Sequence, residues 1–305
     1  MSAIIQPQGW QQQLGIGPES PWGSKGSLTQ WFAGMDRMRY DPGWKHLTRA
    51  IGSRGRRRIT QRGKRTTGSI EAEVCPGRID ELMDLLIIPN PSTAPNTLNS
   101  ATIQAIHSPD IVKTYLGCRV NMARFRNEIS GDEGGGDLIA TMDLIARERS
   151  RTEAAGTPNY DDIPAPFTFH ELVLTIGQEM EAKRSVEIAF NYMLQADKWG
   201  NDQLLRDLES GGQDIDLDLG LDLEDTWALD LYESAEDFAV SAKWTRGANS
   251  LEFIFPTCRI LEGGDPEAVE RGNKELVSPK IAVMEGADGT PEFDIKVDGA
   301  SILPA

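Results

Sequence analysis

The chain has 305 residues, a hydrophobic fraction of 39% and a formal net charge of −16. That apolar content supports a sizeable core and excludes disorder along the whole chain. No run of about 18 apolar residues offers a membrane-spanning helix, and the acidic balance disfavours non-specific adhesion to nucleic acid. Residues 1–13 lack a basic stretch followed by an apolar one, so no secretory signal is expected and folding takes place in a cytoplasm. The length allows one large or two small domains, and an all-β chain of this size can fold as one. Cys75, Cys118 and Cys258 are odd in number and form no Cys-x-x-Cys pair. Buried free thiols are expected, and zinc or thioredoxin-like readings lack support.

Residues 1–45 contain Pro7, Gly15, Gly17, Pro18, Pro21, Gly23 and Gly26, which break regular structure and predict an N-terminal arm. Trp10, Trp22 and Trp31 imply that packing orders this arm, a neighbouring subunit being one candidate. Residues 46–305 read as a single β domain. Within it, 49–65 hold seven arginines and Lys64 with no acid, as an exposed loop or a loop flanked by strand ends.

Residues 66–74 alternate Ile70, Ala72 and Val74 with Ser69, Glu71 and Glu73, which predicts a half-buried strand. Pro76 then opens a short amphipathic helix carrying Ile79, Leu82, Met83, Leu85 and Leu86, ended by Pro89, Pro91 and Pro95. Strands follow over 112–129 and 138–146 around the turn-rich 131–137, and 150–166 form a linker.

A second block begins at Phe167. Alternation predicts one strand through Ile176, with Phe167, Phe169, Glu171, Val173 and Thr175 on one face and His170, Leu172, Leu174 and Ile176 on the other. A strand over 184–194 and a short helix over 202–208 come next. In 213–224, Ile215, Leu217, Leu219, Leu221 and Leu223 alternate without a break with Asp214, Asp216, Asp218, Gly220, Asp222 and Glu224. A hairpin over 238–255 and C-terminal strands within 277–298 complete the chain. Blocks 66–149 and 167–260 read as halves of one β-sandwich or barrel.

Catalytic chemistry finds little footing. His46, His107 and His170 have no metal-ligand spacing to a second His or a Cys, no Gly-x-Ser-x-Gly elbow occurs, and Gly134-Gly135-Gly136 lacks the residues that complete a phosphate loop. A calcium loop starting at Asp214 would need Gly where Leu219 stands and Glu where Asp225 stands. No metal, cofactor or catalytic residue is expected. The carboxylate row has a plain reading, a solvated strand face, and two functional ones: pairing with the basic segment of another copy, or lining a passage for a polyanion. The basic segment has no interleaved aromatics, which favours subunit contact over nucleic-acid binding.

Glu19-Ser20-Pro21-Trp22-Gly23 resembles the N-terminal part of tail tube proteins from long-tailed phages. The strand Gly68-Ser69-Ile70-Glu71-Ala72-Glu73-Val74, ending at Cys75-Pro76 before the helix, is similar to that family's first core strand and helix. Tyr115-Leu116-Gly117-Cys118-Arg119-Val120 resembles its aromatic-x-Gly-Cys step. Residues 185–192, the 213–224 strand and 251–256 fit its second half. The resemblance covers roughly residues 15–260 and rests on the order of elements.

The resemblance implies a structural subunit, not an enzyme, with a flanking helix on a β-sandwich or barrel-like core. It implies six-fold rings stacked head to tail, an acidic lumen passing double-stranded DNA at ejection, and residence in the virion tail. Partners would be other copies of the chain, a tape-measure protein, a tail terminator and baseplate or tail-tip proteins, with no membrane. On that footing Asp214, Asp216, Asp218, Asp222 and Glu224 are lumen-facing candidates. Arg54, Arg56, Arg57, Arg58, Arg62, Arg65, Trp10, Trp22 and Trp31 are inter-subunit contact candidates. A contractile-tail inner tube or a tail terminator of related fold is the alternative.

Overall fold

The computed structural model describes residues 13–47, 58–87, 97–108, 111–129, 135–157, 164–176, 178–180, 183–222, 227–262, 276–285 and 292–303. Strand accounts for 58% of the chain and helix for 6%, so the β-rich expectation holds. The first half contributes β1 (Gln13–Pro18), β2 (Gln30–Asp36), β3 (Arg39–Asp41), β4 (Trp44–Leu47), β5 (Arg58–Gln61), β6 (Arg65–Glu73), β7 (Ala101–Ser108), β8 (Ile111–Glu128), β9 (Ile139–Ala146) and β10 (Glu148–Ser150). Six of these close an antiparallel barrel in the order β1–β2–β6–β9–β8–β7, with β7 returning to β1. Closure removes the free edges that a six-stranded sheet would expose.

The sequence pattern explains most of these strands. In β6, Ile70 and Ala72 are buried while Glu71 and Glu73 alternate with them, and Val74 continues the buried face. Within residues 13–45 the glycines and prolines predicted no regular element, yet β1 and β2 are full members of the barrel. β1 carries two large apolar side chains, Leu14 and Ile16, both wholly buried, and ends at Pro18. Its stability comes from ladders on both edges rather than from local propensity.

Helix α1 (Asp80–Asp84) packs Ile79, Leu82, Met83, Leu85 and Leu86 into the core as the spacing predicts. The hydroxyl of Tyr192, far along the chain, donates to the Leu86 carbonyl at 2.8 Å and ties α1 to the second half. The two halves also meet at two backbone bonds, Leu138 N to Phe167 O and Phe167 N to Val74 O, and Val74 N to Leu138 O closes the set.

The second half contributes β11 (Leu172–Ile176), β12 (Gln178–Met180), β13 (Lys183–Asn191), β14 (Leu194–Gln195), β15 (Glu209–Ser210), β16 (Asp214–Asp222), β17 (Phe238–Arg246), β18 (Asn249–Glu262), β19 (Leu276–Val277), β20 (Lys280–Val283), β21 (Asp294–Val297) and β22 (Ala300–Ser301). β13 joins the C-terminal part of β8, pairing Asn191 with Met122 and Ser185 with Glu128. From there the ladder runs β13–β16–β20–β18–β17–β11–β12. β8 therefore belongs to both the barrel and this second sheet.

Two local expectations fail for identifiable reasons. Residues 167–176 are not one strand: Phe169–Glu171 form a 3-10 turn, and Glu171 reaches back to the Thr168 backbone N–H at 2.8 Å. The turn shifts the alternation, so Phe167, Phe169, Leu172 and Leu174 are all buried. Residues 202–208 are turns, not a helix. The Asp202 side chain accepts from Leu204 N, and Arg206 N donates to Lys198 O, so the backbone donors are engaged outside a helical ladder. A second helix, α2 (Trp227–Ser234), lies within residues 207–237, which hold twelve acids and no Lys or Arg, and was not expected there.

The core is continuous across both halves. Its centre is aromatic: Phe190 lies 5.4 Å from Phe293 and 5.9 Å from Phe253, and Phe125 lies 5.0 Å from Phe253. Trp244 donates its indole N–H to the buried Asn127 at 3.1 Å, which leaves no unmet polar atom on that ring. Phe190→Ala should lower the unfolding free energy by about 3–5 kcal/mol, from lost burial plus a cavity that the rings of Phe125, Phe253, Phe255 and Phe293 cannot collapse into. The measurement is the urea midpoint of the unassembled subunit, with the m-value unchanged.

Candidate functional site

β16 presents Ile215, Leu217, Leu219 and Leu221 to the core, each no more than 3% exposed, and turns Asp214, Asp216 and Asp218 to solvent. Gly220 interrupts the row. Asp222 ends the strand with its side chain outside the described set, and Glu224 lies outside the described residues. Register fixes the row's neighbours. On the β13 side, Asn191, Ala189 and Glu187 stand beside Asp214, Asp216 and Asp218; on the other side Ala282 and Lys280 of β20 stand beside Asp216 and Asp218. One strand further, Arg124 and Arg126 of β8 flank Ala189 and Glu187.

The outer face is therefore banded, an acidic row between two cationic ones. Ion pairs run across it: Arg126–Glu128 at 2.7 Å, Lys280–Glu262 at 3.5 Å and Arg259–Asp237 at 2.7 Å. Partial burial, then Asp214 and Asp218, push the Asp216 carboxyl above its ordinary value, against the pull of Lys280. Asp214 also belongs to a second acidic group. Burial, with Asp214 and Glu285 adding to it, pushes Glu292 from the ordinary 4.5 up to about 7.

The described end of the basic segment contains β5, which pairs with the preceding β4 as a two-stranded ladder separate from the main sheet. Arg62 and Arg65 are exposed at its base; Arg58 starts β5 with its side chain outside the described set; Arg54, Arg56 and Arg57 lie outside the described residues. The base is firmly held. Arg62 N donates to Gly43 O at 2.9 Å, Lys64 N donates to Gln203 O at 2.8 Å, and Gly63 sits beneath the Trp199 ring, where a Cβ would come within 2.2 Å. Trp44, in β4, is 60% exposed. No alternation or spacing rule had singled it out.

The tryptophans proposed as contacts fall in different places. Trp10 lies outside the described residues. Trp31 is 5% exposed, packed with Ile106, Val112 and Leu28 of its own chain, and has little surface left for a neighbour. Trp22 is half-buried between the guanidinium groups of Arg119 and Arg147, 4.9 and 5.3 Å from its ring, and donates to Gly117 O at 3.2 Å. Gly117 has φ +65° and could not carry a Cβ beneath that ring.

Beside it, the Glu19 carboxylate accepts from Gly23 N, Gly117 N, Thr102 Oγ1 and Ser100 Oγ at 2.8–3.2 Å. Glu19-Ser20-Pro21-Trp22-Gly23 and the glycine of Tyr115-Leu116-Gly117-Cys118 are thus one junction, which locks the β1–β2 connection onto β7 and β8. A second polar knot holds the other end of β2. The fully buried Asp36 carboxylate accepts from His107 Nε2, Lys113 Nζ and Tyr115 Oη at 2.9–3.0 Å. Burial pushes its pKa up, but the bonds from His107, Lys113 and Met38 outweigh it and hold it below the ordinary value.

All three cysteines are free and buried. Burial raises the Cys75 thiol to about 11 and Cys258 to about 12, so neither is a thiolate at neutral pH. Among the described residues no group of three or more His, Cys, Asp or Glu could hold a metal ion, and no helix is long and apolar enough to cross a membrane.

The described residues form a closed barrel that shares one long strand with a second sheet, with a short flanking helix and the Glu19–Trp22 junction beside it. The family model described as phage tail tube protein matches residues 9–290. The chain belongs to the phage tail tube protein family. No curated protein matches it. As a tail tube protein it is a structural subunit of the virion tail that self-assembles into a tube and meets other tail proteins.

One titration in this acidic group is directly measurable. In the folded tail tube subunit Glu292 binds its proton more tightly than in the unfolded chain, so stability falls as pH rises from about 4.5 to about 7, and the penalty is complete above that. Because Glu292 keeps part of its surface in water, screening leaves a penalty on the order of 1 kcal/mol. Glu292→Gln should raise the melting temperature by about 2–4 °C at pH 8 and much less at pH 5, measured by calorimetry of the unassembled subunit.

Proposed function

We propose that this tail tube protein forms six-fold rings stacked head to tail, and that β16 lines the lumen with Asp214, Asp216, Asp218, Asp222 and Glu224 as double-stranded DNA passes during ejection. The observation that carries the reading is the exposed Asp214–Asp216–Asp218 row in the middle of a continuous ladder. A DNA-binding surface would gather cations to release counterions from phosphate. This face instead puts carboxylates at its centre, and the arginines and Lys280 beside them already have acidic neighbours, so a passing phosphate backbone finds no grip.

The arginines of 49–65, with Arg54, Arg56, Arg57, Arg58, Arg62 and Arg65 as named contacts, hold adjacent subunits together. Trp22 acts indirectly, by fixing the junction that Arg119 and Arg147 complete. Tape-measure, terminator and tail-tip or baseplate proteins complete the partner set, and the chain works without a cofactor or catalytic step.

Cryo-electron microscopy of the concentrated protein should show tubes with the Asp214–Asp218 row on the inner wall. A strictly monomeric species, or the row on the outer wall, would reject the reading. Assembly should also weaken from about 0.1 M to about 1 M salt, where the screening length contracts from about 10 Å to about 3 Å. Tubes of unchanged length across that range would remove charge pairing as the link.

A further inference from the structure

The two halves of the chain repeat each other strand for strand. In the first, β1 pairs β7, β7 pairs β8, β8 pairs β9 and β10, and β9 pairs β6, which carries β2 and β3 on its other edge. In the second, β11 pairs β17, β17 pairs β18, β18 pairs β20 and β21, and β20 pairs β16, which carries β13 on its other edge. The antiparallel pair β1–β2 has its counterpart in β11–β12. Each half also has a helix at the same place in the order, α1 between β6 and β7 and α2 between β16 and β17.

The repeat reaches individual residues. Tyr115-Leu116-Gly117-Cys118-Arg119-Val120 of β8 corresponds to Phe255-Pro256-Thr257-Cys258-Arg259-Ile260 of β18. The aromatic ring, the cysteine and the closing aliphatic residue are buried in both. β7 slips register between Ala101, opposite Cys118, and Ile103, opposite Tyr115; β17 slips between Phe238, opposite Cys258, and Val240, opposite Phe255. A second slip falls between Val120–Leu144 and Met122–Asp143 in one half, and between Ile260–Ile281 and Glu262–Lys280 in the other. Bulges keep their positions within a family of folds, so two at matched residues around one motif mark two copies of one unit.

The units differ in what lies beyond the slips. β8 leaves β7 at Cys118 and takes β13 along Met122–Glu128. β18 leaves β17 at Cys258, and among the described residues Arg259–Glu262 has a strand on one edge only, β20. β13 lies between β16 and β8, whereas β3, its counterpart, has among the described residues a strand on one edge only, β6. The chain carries one β8–β13 junction inside itself, and one half of such a junction at each end of the ladder β3–β6–β9–β8–β13–β16–β20–β18.

We infer that the chain is a tandem of two tube units and that three chains complete a ring, β18 of each copy joining β3 of the next as β8 joins β13. This rests on the tube reading, and it gives the six positions of that ring to units, two per chain. The contact is heterologous, and the inner junction supplies the rotation that lets the series close. Closure also removes the two open edges that a free subunit exposes. The acidic row then recurs three times around the wall, because Thr67 and Ser69 of β6 stand where Asp216 and Asp218 of β16 stand.

The inner register partners Met122 and Asn191 correspond to Glu262 and Asp41, which the outer junction brings to the about 4.5–5.5 Å between Cα atoms that a disulfide spans. Both are exposed, and the native thiols are buried. The test is the double variant D41C/E262C, assembled, oxidised and run on a non-reducing gel. Expected is a covalent series of one, two and three chains that stops at three, with each single variant remaining monomeric. Species of four to six chains, or tubes that form with no cross-link, overturn the inference and leave the tube reading standing. Cryo-electron microscopy of wild-type tubes gives an independent count: three chains per ring are expected, and six overturn the inference whatever the variant does. A wild-type protein that never assembles overturns both.

Discussion

Every backbone polar group of a buried strand needs a partner on each edge, and β8 has to meet that demand over 18 residues. One edge takes β7 and then β13; the other takes β10 and then β9. At Val120–Met122 the register against β9 shifts, and past it β13 takes over the edge that β7 has left. Barrel and second sheet are thus two curvatures of one strand. Tyr115, Cys118 and Val120 fill one part of the core, while Ala123 and Phe125 reach the aromatic centre around Phe190 and Phe253.

That arrangement also sets the electrostatics. Carboxylates two residues apart on a strand face lie about 7 Å from each other and repel by ~0.6 kcal/mol in water. Lys280, one strand away from Asp218, returns an attraction of similar size. The row therefore costs the folded subunit little, and its presence does not require a partner to neutralise it. Asp214 is less well balanced, since its register partner is Asn191 and Glu285 and Glu292 lie nearby. The protein concentrates its unbalanced acid at that end, and the upward shift of Glu292 is the consequence.

The legibility of these features in the sequence follows from where their energy comes from. β16, β6 and α1 take their form from side chains close in sequence, so the alternation of Ile215 through Leu221 and the spacing of Ile79 through Leu86 were enough. β1 has two large apolar residues between glycines, and only β2 and β7, a long way along the chain, make it a strand. The turn at Phe169–Glu171 depends on one side chain bonding back to Thr168, which an alternation pattern cannot register. Of the site, the acidic row was legible because exposure alternates with burial. The packing of Trp31 on Ile106, Val112 and Leu28 was not legible, because a tryptophan among prolines and glycines reads the same whether its cover is its own chain or another. The exposure of Trp44 on the β4–β5 ladder was not legible because nothing local in the sequence marks it.

Where the barrel closes on itself it has no edges to offer, so strands cannot be added there. The β4–β5 ladder stands apart from the main sheet, and the chain returns through α2 to β17, where Phe238 pairs with Cys258 and Asp237 bonds Arg259 near the level of Asp216. The length of β16 and its pairing with β13 and β20 fix how many carboxylates the outer face can carry and how they are spaced. Lengthening β16 and its ladder partners by two residues would keep every side chain on its face and move the ends ~7 Å apart, whereas one residue would turn the acidic row inward.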